Sequence, residues 1–176
     1  MTTNKMTSQT ATKSKVVKEK KTTTTSTNIN LPSNPFAFEV LDLASRQRSK
    51  IKKVEILKKY EHPSLKAIFI WNFDESVISV IPDGPVPYKE NEVPVGTDHT
   101  SLRREYKNLY HFVRGGNDTL SSLRKETMFI QLLEGLHPKE AEIVCLIKDK
   151  KLTSKYKISH DLVKEAYPDI VWGNRS

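Results

Sequence analysis

The residue types that most often carry chemistry are present in this chain but are not grouped. The five histidines are His62, His99, His111, His137 and His160. No two of them stand four residues apart with an acid between them, as a helical zinc site requires. The one cysteine, Cys145, lies in an aliphatic run, which favours an inert buried thiol over a nucleophile. We therefore predict no metal site, no cofactor and no catalytic residue.

Two further patterns that sometimes indicate catalysis are weak here. Gly115-Gly116 lacks the Lys-Ser/Thr pair of a nucleotide-binding loop and is typical of a helix end. Asp74, Glu75 and the acids of the proline-rich segment lack the regular spacing of a calcium loop. We expect a protein that is not an enzyme.

The charge pattern of the helix predicted over residues 101–114 is more informative. At about 100° per residue, one narrow stripe of this helix is apolar. That stripe contains Leu102, Tyr106, Leu109, Tyr110 and Val113. A set of basic residues lies opposite or beside it: Arg103, Arg104, Lys107, His111 and Arg114. Such a face suits a phosphate backbone or an acidic partner, and the alternative is an ordinary solvated helix face.

A second basic cluster occupies residues 46–59. Its members are Arg46, Arg48, Lys50, Lys52, Lys53, Lys58 and Lys59, with Glu55 as the one acid. These cations are spread around a predicted helix, so the cluster is denser but less directional, and a solvated connector and helix is the alternative. The lysines of residues 148–157 are mostly explained as charge at a helix C-terminus.

Composition sets wider limits. The 176 residues include 29 Lys plus Arg against 21 Asp plus Glu, a formal net charge of +8. A single cysteine excludes a disulfide framework and fits a reducing compartment. No apolar run approaches the roughly 18 to 20 residues that span a bilayer, so we expect no membrane-spanning segment. The polar start of the chain indicates no secretory signal.

The first 30 residues differ from the rest. They hold ten Thr, three Ser and six Lys but few aliphatic residues, so we predict a disordered tail. This tail is an electrostatic arm for nucleic acid or an acidic partner, or else a solubilising leader. Residues 31–176 are dense enough in apolar residues to predict a single domain.

Within that domain the pattern predicts a small, orthogonal, mostly α-helical fold. We expect helices after the Ser33-Asn34-Pro35 start signal and over residues 49–60, 101–114 and 120–134, from Pro138 onward, and over residues 159–167. Residues 67–81 suit either two buried strands or a buried helix, and we favour the helix because the neighbouring segments are helical. The prolines that follow predict a long extended loop.

Three stretches resemble a known family: FAFEVLDLASRQR at residues 36–48, AIFIWNFDES at 67–76, and LHPKEAE at 136–142 with KDKK at 148–151. They are similar to an uncharacterised family of small proteins from T4-like tailed phages of the marine cyanobacterial type. The similarity covers residues 31–171. The family has no assigned activity, so the resemblance implies only a context: a phage protein acting in the host cytoplasm or carried in the virion.

These observations lead to one main hypothesis. We expect a non-enzymatic phage accessory protein that binds DNA or RNA without sequence preference through the 101–114 face, helped by residues 46–59. The second hypothesis is a protein-interaction adaptor for host or phage machinery such as RNA polymerase, using the apolar and acidic segment 71–95 or the basic face. A minor virion structural component is the third.

Overall fold

The computed structural model describes residues 30–94, 97 and 99–175. These residues form eight α-helices and one 3-10 helix, and they contain no β-strand, which confirms the all-α prediction. The helices are α1 (Ala37–Arg46), α2 (Lys50–Lys59), α3 (Pro63–Phe73), α4 (Leu102–Glu105), the 3-10 helix (Tyr106–Phe112), α5 (Ser122–Gly135), α6 (Pro138–Lys148), α7 (Leu152–Lys155) and α8 (His160–Ala166). Except for Asn30, the predicted disordered tail lies outside the described residues.

The first helix begins two residues later than the Ser33-Asn34-Pro35 signal predicts, because the N-cap of α1 is Phe36. Glu39 accepts a hydrogen bond from the Phe36 N–H at 2.8 Å, which satisfies a free donor at the start of α1. Ser49 occupies the N-cap position of α2, which covers residues 50–59 of the predicted 49–60. The chain then breaks at His62-Pro63, where the His62 ring accepts from the Ser64 N–H at 3.1 Å and caps α3. Pro63, at the first position of α3, has a backbone φ angle that suits the start of a helix.

The helix predicted over residues 67–81 is correct only as far as Phe73. Asp74 ends α3, because its carboxylate accepts from both the N–H and the hydroxyl of Ser76 and so forms a turn. Residues 77–81 then run in extended conformation, with the Val80 N–H bonded to Phe112 O at 2.9 Å. The segment therefore combines the two alternatives: its first half is a helix and its β-branched second half is extended.

The helix predicted over residues 101–114 is also different in detail. Only one turn, α4, is α-helical, and the rest is a 3-10 helix that ends at Phe112. A 3-10 helix has three residues per turn, so Tyr106, Leu109 and Phe112 lie in one row facing the core. The turn that follows demands glycine, because a Cβ on Gly116 would stand 1.9 Å from Tyr110 O. Because the 3-10 helix ends at Phe112, Arg114 lies beyond it.

The later helices follow the prediction with shifted ends. Helix α5 is capped by Ser121 and so begins two residues after the predicted start at residue 120, and the short α7 was not predicted. The proline-rich loop packs against α6, where the buried Lys148 donates to Pro82 O at 2.7 Å. Among the residues the structure describes, no helix has the length and apolar composition needed to cross a bilayer.

One buried carboxylate joins three of the helices. Glu140, in the first turn of α6, accepts from the Ala37 N–H at 2.9 Å and from the Leu102 N–H at 2.8 Å. These are the first residues of α1 and α4, so Glu140 satisfies free donors at two helix starts. Burial raises the pKa of Glu140, against the effect of these two hydrogen bonds. Around it, apolar side chains from all the helices form one hydrophobic core.

Candidate nucleic-acid interface

The densest basic region of the structure surrounds α2. Val54 and Leu57 bury one side of this helix, and the remaining positions carry charge except Ile51, which is exposed, and Ile56, which is half-buried. We call this region the α2 basic surface; its members are Arg46, Arg48, Lys50, Lys52, Lys53, Lys58 and Lys59. All of them are exposed except Lys53, which is half-buried. A helix buried on so narrow a stripe leaves most of its circumference, and therefore most of its cations, facing water.

Few acids neutralise this surface. Within residues 30–94, 97 and 99–175, its single ion pair joins Lys50 to Glu165 at 2.6 Å. The hydrogen bond and charge of Glu165 raise the pKa of Lys50. Lys53 donates to the backbone carbonyl of Lys157, and Lys59 donates to Asn30 at 2.8 Å. The other cations have no hydrogen-bonded side-chain partner among the described residues: Arg46, Arg48, Lys52 and Lys58.

A pocket of about 290 Å³ opens where α2 meets the chain before α8. We call it the α2–α8 pocket; it is lined by Arg48, Lys50, Lys53, Thr153, Tyr156, Lys157, Ile158, Ser159 and Leu162. Its floor is apolar, because Tyr156, Ile158 and Leu162 are buried. Its rim is cationic. The pocket thus joins the second predicted cluster to one lysine of residues 148–157.

Several contacts hold the two sides of this pocket together. The Tyr167 hydroxyl donates to Leu57 O at 2.7 Å, which ties the end of α8 to α2. On the other side, the Lys157 N–H donates to Ser45 Oγ at 2.8 Å. With the Lys50–Glu165 pair at the outer edge, three contacts join the elements that surround the pocket. These contacts hold the backbone segments that carry the rim cations.

The five residues predicted on the 101–114 face, which we call the α4 basic face, do not share a single arc. Arg104 in α4 and Lys107 and Tyr110 in the 3-10 helix are all exposed, and each lies three residues, about one turn, from the next. Arg103 is half-buried and close enough to His62 to lower the pKa of that ring, after the larger effect of burial. His111 is held by Asn117 at 2.9 Å.

The two basic regions lie on different packing units. Helix α2 packs mainly against α1 and α8, whereas α4 and the 3-10 helix pack mainly against α3 and α5. No ion pair involves the cations of the α4 basic face within the described part of the chain. Two exposed cations, Arg104 and Lys107, and Arg114 beyond the helix thus remain available there.

The lysines of residues 148–157 mostly serve the fold. Lys148 is buried and pairs with Asp149, and Lys150 donates to Asp74 O at 2.6 Å. Lys155 pairs with Glu142. Lys157 is the member that reaches a candidate site, the α2–α8 pocket.

The other candidate groups have structural surroundings. Burial raises the pKa of the Cys145 thiol to about 11, which keeps it protonated at neutral pH. His137 caps α6 by accepting from the Lys139 N–H at 3.1 Å, as His62 caps α3. In the described ranges, no three His, Cys, Asp or Glu side chains are grouped as metal ligands.

Sequence reasoning missed the α2–α8 pocket. Its two walls are about a hundred residues apart in the chain: Lys53 and Lys157 are separated by 104 positions. The signal that was present is the alternation around Lys157, where a cation stands between the buried side chains of Tyr156 and Ile158. That pattern indicates an extended segment that turns one side to the core and one to water.

Comparison with known proteins gives a family. The model of a family of unknown function, DUF6433, matches residues 40–154. The match contains Arg48, Lys50 and Lys53 of the pocket but stops before Tyr156. No curated protein and no solved structure matches the chain. Since the match covers more than half of the 176 residues, the chain belongs to the DUF6433 family.

Proposed function

We propose that this protein binds nucleic acid without catalysing a reaction, and that the α2 basic surface is its main contact with the phosphate backbone. The supporting observation is the imbalance of charge on that surface. Seven cations face one acid of their own segment, Glu55, and one ion-pair partner, Glu165. Cations that replace condensed counterions along a phosphate backbone gain free energy that depends strongly on salt. Contacts of this kind do not read sequence.

The α4 basic face is a second, weaker contact in this proposal. Its row of Arg104, Lys107 and Tyr110 combines two cations with a tyrosine that is 48% exposed. Because its helix packs on a different part of the core from α2, it engages a longer stretch of the same strand or a separate one. It adds to binding without defining the site.

The biological setting belongs to the proposal as well. The resemblance of residues 36–48, 67–76 and 136–142 to a phage family supports a phage accessory protein that acts in the host cytoplasm on DNA or RNA. An adaptor role through residues 71–95 has less support, because Trp71, Val77 and Ile81 are buried in the core. What stays exposed there is mainly a polar, proline-rich loop, with Ile78 and Val93 as the exposed large apolar residues.

The test is a binding titration with a charge-reversal variant. In the full chain, Arg48, Lys52 and Lys58 are each replaced by Glu, which lowers the net charge from +8 to +2. A matched control reverses Lys89, Arg124 and Lys151, which are exposed and lie outside both basic regions. Fluorescence anisotropy with a labelled oligonucleotide of about 20 nucleotides measures affinity as salt is raised.

We expect the α2 variant to lose about a hundredfold in affinity at low salt. The slope of log K against log salt should fall by about 3, one for each lost phosphate contact. The control, with the same net charge, should stay within about threefold of the unmodified protein. Equal losses in both variants would mean that net charge alone drives binding and would refute the assignment to α2. A protein that binds no oligonucleotide but captures a defined protein partner would favour the adaptor.

A further inference from the structure

The α2–α8 pocket has a composition that a phosphate-binding surface alone does not require. Backbone contacts need only exposed cations, and α2 supplies those around its outer face. Here, cations surround an apolar floor made by Tyr156, Ile158 and Leu162. An apolar floor beneath a cationic rim fits a ligand with both a flat apolar part and a negative charge.

The size of the pocket limits the ligand further. A volume of about 290 Å³ is at the small end of ligand sites, so it admits one small group rather than a length of duplex. In a duplex the bases are stacked and paired, whereas an unpaired base is free to leave the strand and lie on an apolar or aromatic surface. The phosphate of the same nucleotide then meets the rim.

We infer that the α2–α8 pocket holds one unpaired nucleotide of a single-stranded nucleic acid, with its base on the apolar floor and its phosphate at Arg48 and Lys53. This inference rests on the proposed function and adds to it a preference for single strands. Thr153 and Ser159 place hydroxyl groups at the pocket wall, where they are able to bond the polar edge of a base.

The charges that face the pocket favour this ligand. Arg48, Lys50, Lys53 and Lys157 line it, and Glu165 is paired with Lys50. Asp161 also acts on Lys50 and lies at the start of α8. The basic residues outnumber these two acids, so an anion is attracted to the rim.

The experiment fills the pocket without changing its charge. Thr153 is exposed, and Thr153→Phe places a ring across the pocket mouth. Ser154→Phe is the matched control, because Ser154 is exposed on the same short helix but does not line the pocket. Affinities are measured for a single-stranded oligonucleotide and a duplex of equal length, with thermal melting as the check that each variant folds.

We expect the unmodified protein and Ser154→Phe to bind the single strand about tenfold more tightly than the duplex. Thr153→Phe should lose that preference and keep its duplex affinity. If Thr153→Phe fails to fold, the smaller Thr153→Leu should reduce the preference in the same direction. A preference that survives in a folded Thr153 variant, or no preference in the unmodified protein, would overturn the inference and leave the proposed function standing.

Two other outcomes would show that the protein does not bind nucleic acid, or that the pocket binds a free nucleotide. Absence of binding to either oligonucleotide at low salt would overturn the proposed function together with the inference. A free nucleoside monophosphate is titrated in parallel by isothermal calorimetry. If it binds more tightly than the single strand and Thr153→Phe abolishes its binding, the pocket serves a free nucleotide, and the assignment to a strand is wrong.

Discussion

The α2 basic surface and the α4 basic face are both basic clusters in the sequence, but residues 46–59 carry seven cations and one acid whereas residues 101–114 carry four cations and one acid. They also differ in the structure. Helix α2 keeps α-helical geometry over ten residues, and two side chains, Val54 and Leu57, bury it. The α4 segment changes from an α-helical turn to a 3-10 helix and turns Tyr106, Leu109 and Phe112 inward. The first arrangement leaves nearly all cations in water. The second divides them among three rows.

This difference shows that counting cations along a segment does not predict a binding surface. The number of exposed cations depends on how much of the helix the core covers and on how many residues make one helical turn. Arg103, in α4, lies about one turn before the core-facing Tyr106 and is half-buried, whereas Arg104 lies about one turn before the exposed Lys107 and is itself exposed.

The largest expected effect separates the two regions by their dependence on Glu140. Replacing Glu140 by Ala leaves the N–H groups of Ala37 and Leu102 buried without an acceptor, at a cost of about 3 kcal/mol. Urea denaturation measures this loss, with Glu75→Ala, at an exposed acid, as the control. At a temperature where Glu140→Ala is folded, oligonucleotide affinity should stay within about threefold, because α2 does not contact Glu140. A parallel loss of affinity would show that binding depends on α1 or α4, the two helices whose first residues Glu140 holds.

A smaller effect compares the two basic regions directly. The variants Arg104→Glu/Lys107→Glu and Lys52→Glu/Lys58→Glu make the same change in charge, and all four residues are exposed. We expect the α2 pair to weaken oligonucleotide binding about thirtyfold and the α4 pair about fivefold, since each phosphate contact in a dense surface adds to the next. Anisotropy titrations at low salt give both values. Equal losses, or a larger loss for the α4 pair, would reverse the ranking.

The smallest effect is the part of the pH dependence that comes from His62, the N-cap of α3. Burial and the nearby Arg103 lower the pKa of His62, whose neutral ring caps α3 and stacks edge-on against Tyr106. The folded protein therefore prefers the neutral ring. Its contribution is complete above the unfolded pKa of about 6.5 and is lost as the pH falls through the lower folded value.

The matched variant for this prediction is His62→Asn, which caps a helix without titrating in this range. Between about pH 7 and pH 5, the unmodified protein should lose roughly 0.5 to 1 kcal/mol more stability than His62→Asn. His137 and His160 also have lowered pKa values, but they are present in both proteins and cancel in the comparison. Identical pH profiles would show that the His62 cap does not contribute.

The sequence predicted the positions of the helices better than it predicted how they end and pack against one another. Local signals predicted α2 from Ser49 and α6 from Pro138 without tertiary information, whereas α3 begins at Pro63, four residues before the predicted segment. The end of α3 depends on a turn made by the Asp74 side chain, which propensity does not distinguish from continued helix. The 3-10 helix depends on which side chains of this segment pack into the core. In each case tertiary packing overrides a weak local preference.

The candidate site was predictable only in part. The cations of α2 were visible as a cluster, because they follow one another in the chain. The pocket beside them needs the segment around Lys157, which only the packing of α8 on α2 brings near. The sequence of residues 148–157 also does not indicate which of its lysines are buried and which are exposed. Lys148 is buried in the core, whereas Lys157 lines the pocket.

The most direct test of the α2 assignment is a lysine footprint. The full chain is acetylated briefly with and without a saturating single-stranded oligonucleotide, and mass spectrometry measures the reactivity of each lysine. We predict strong protection of Lys52 and Lys58, weaker protection of Lys107 and none of Lys89, which lies in the proline-rich loop. Strong protection of Lys107 with unchanged Lys52 and Lys58 would contradict the account.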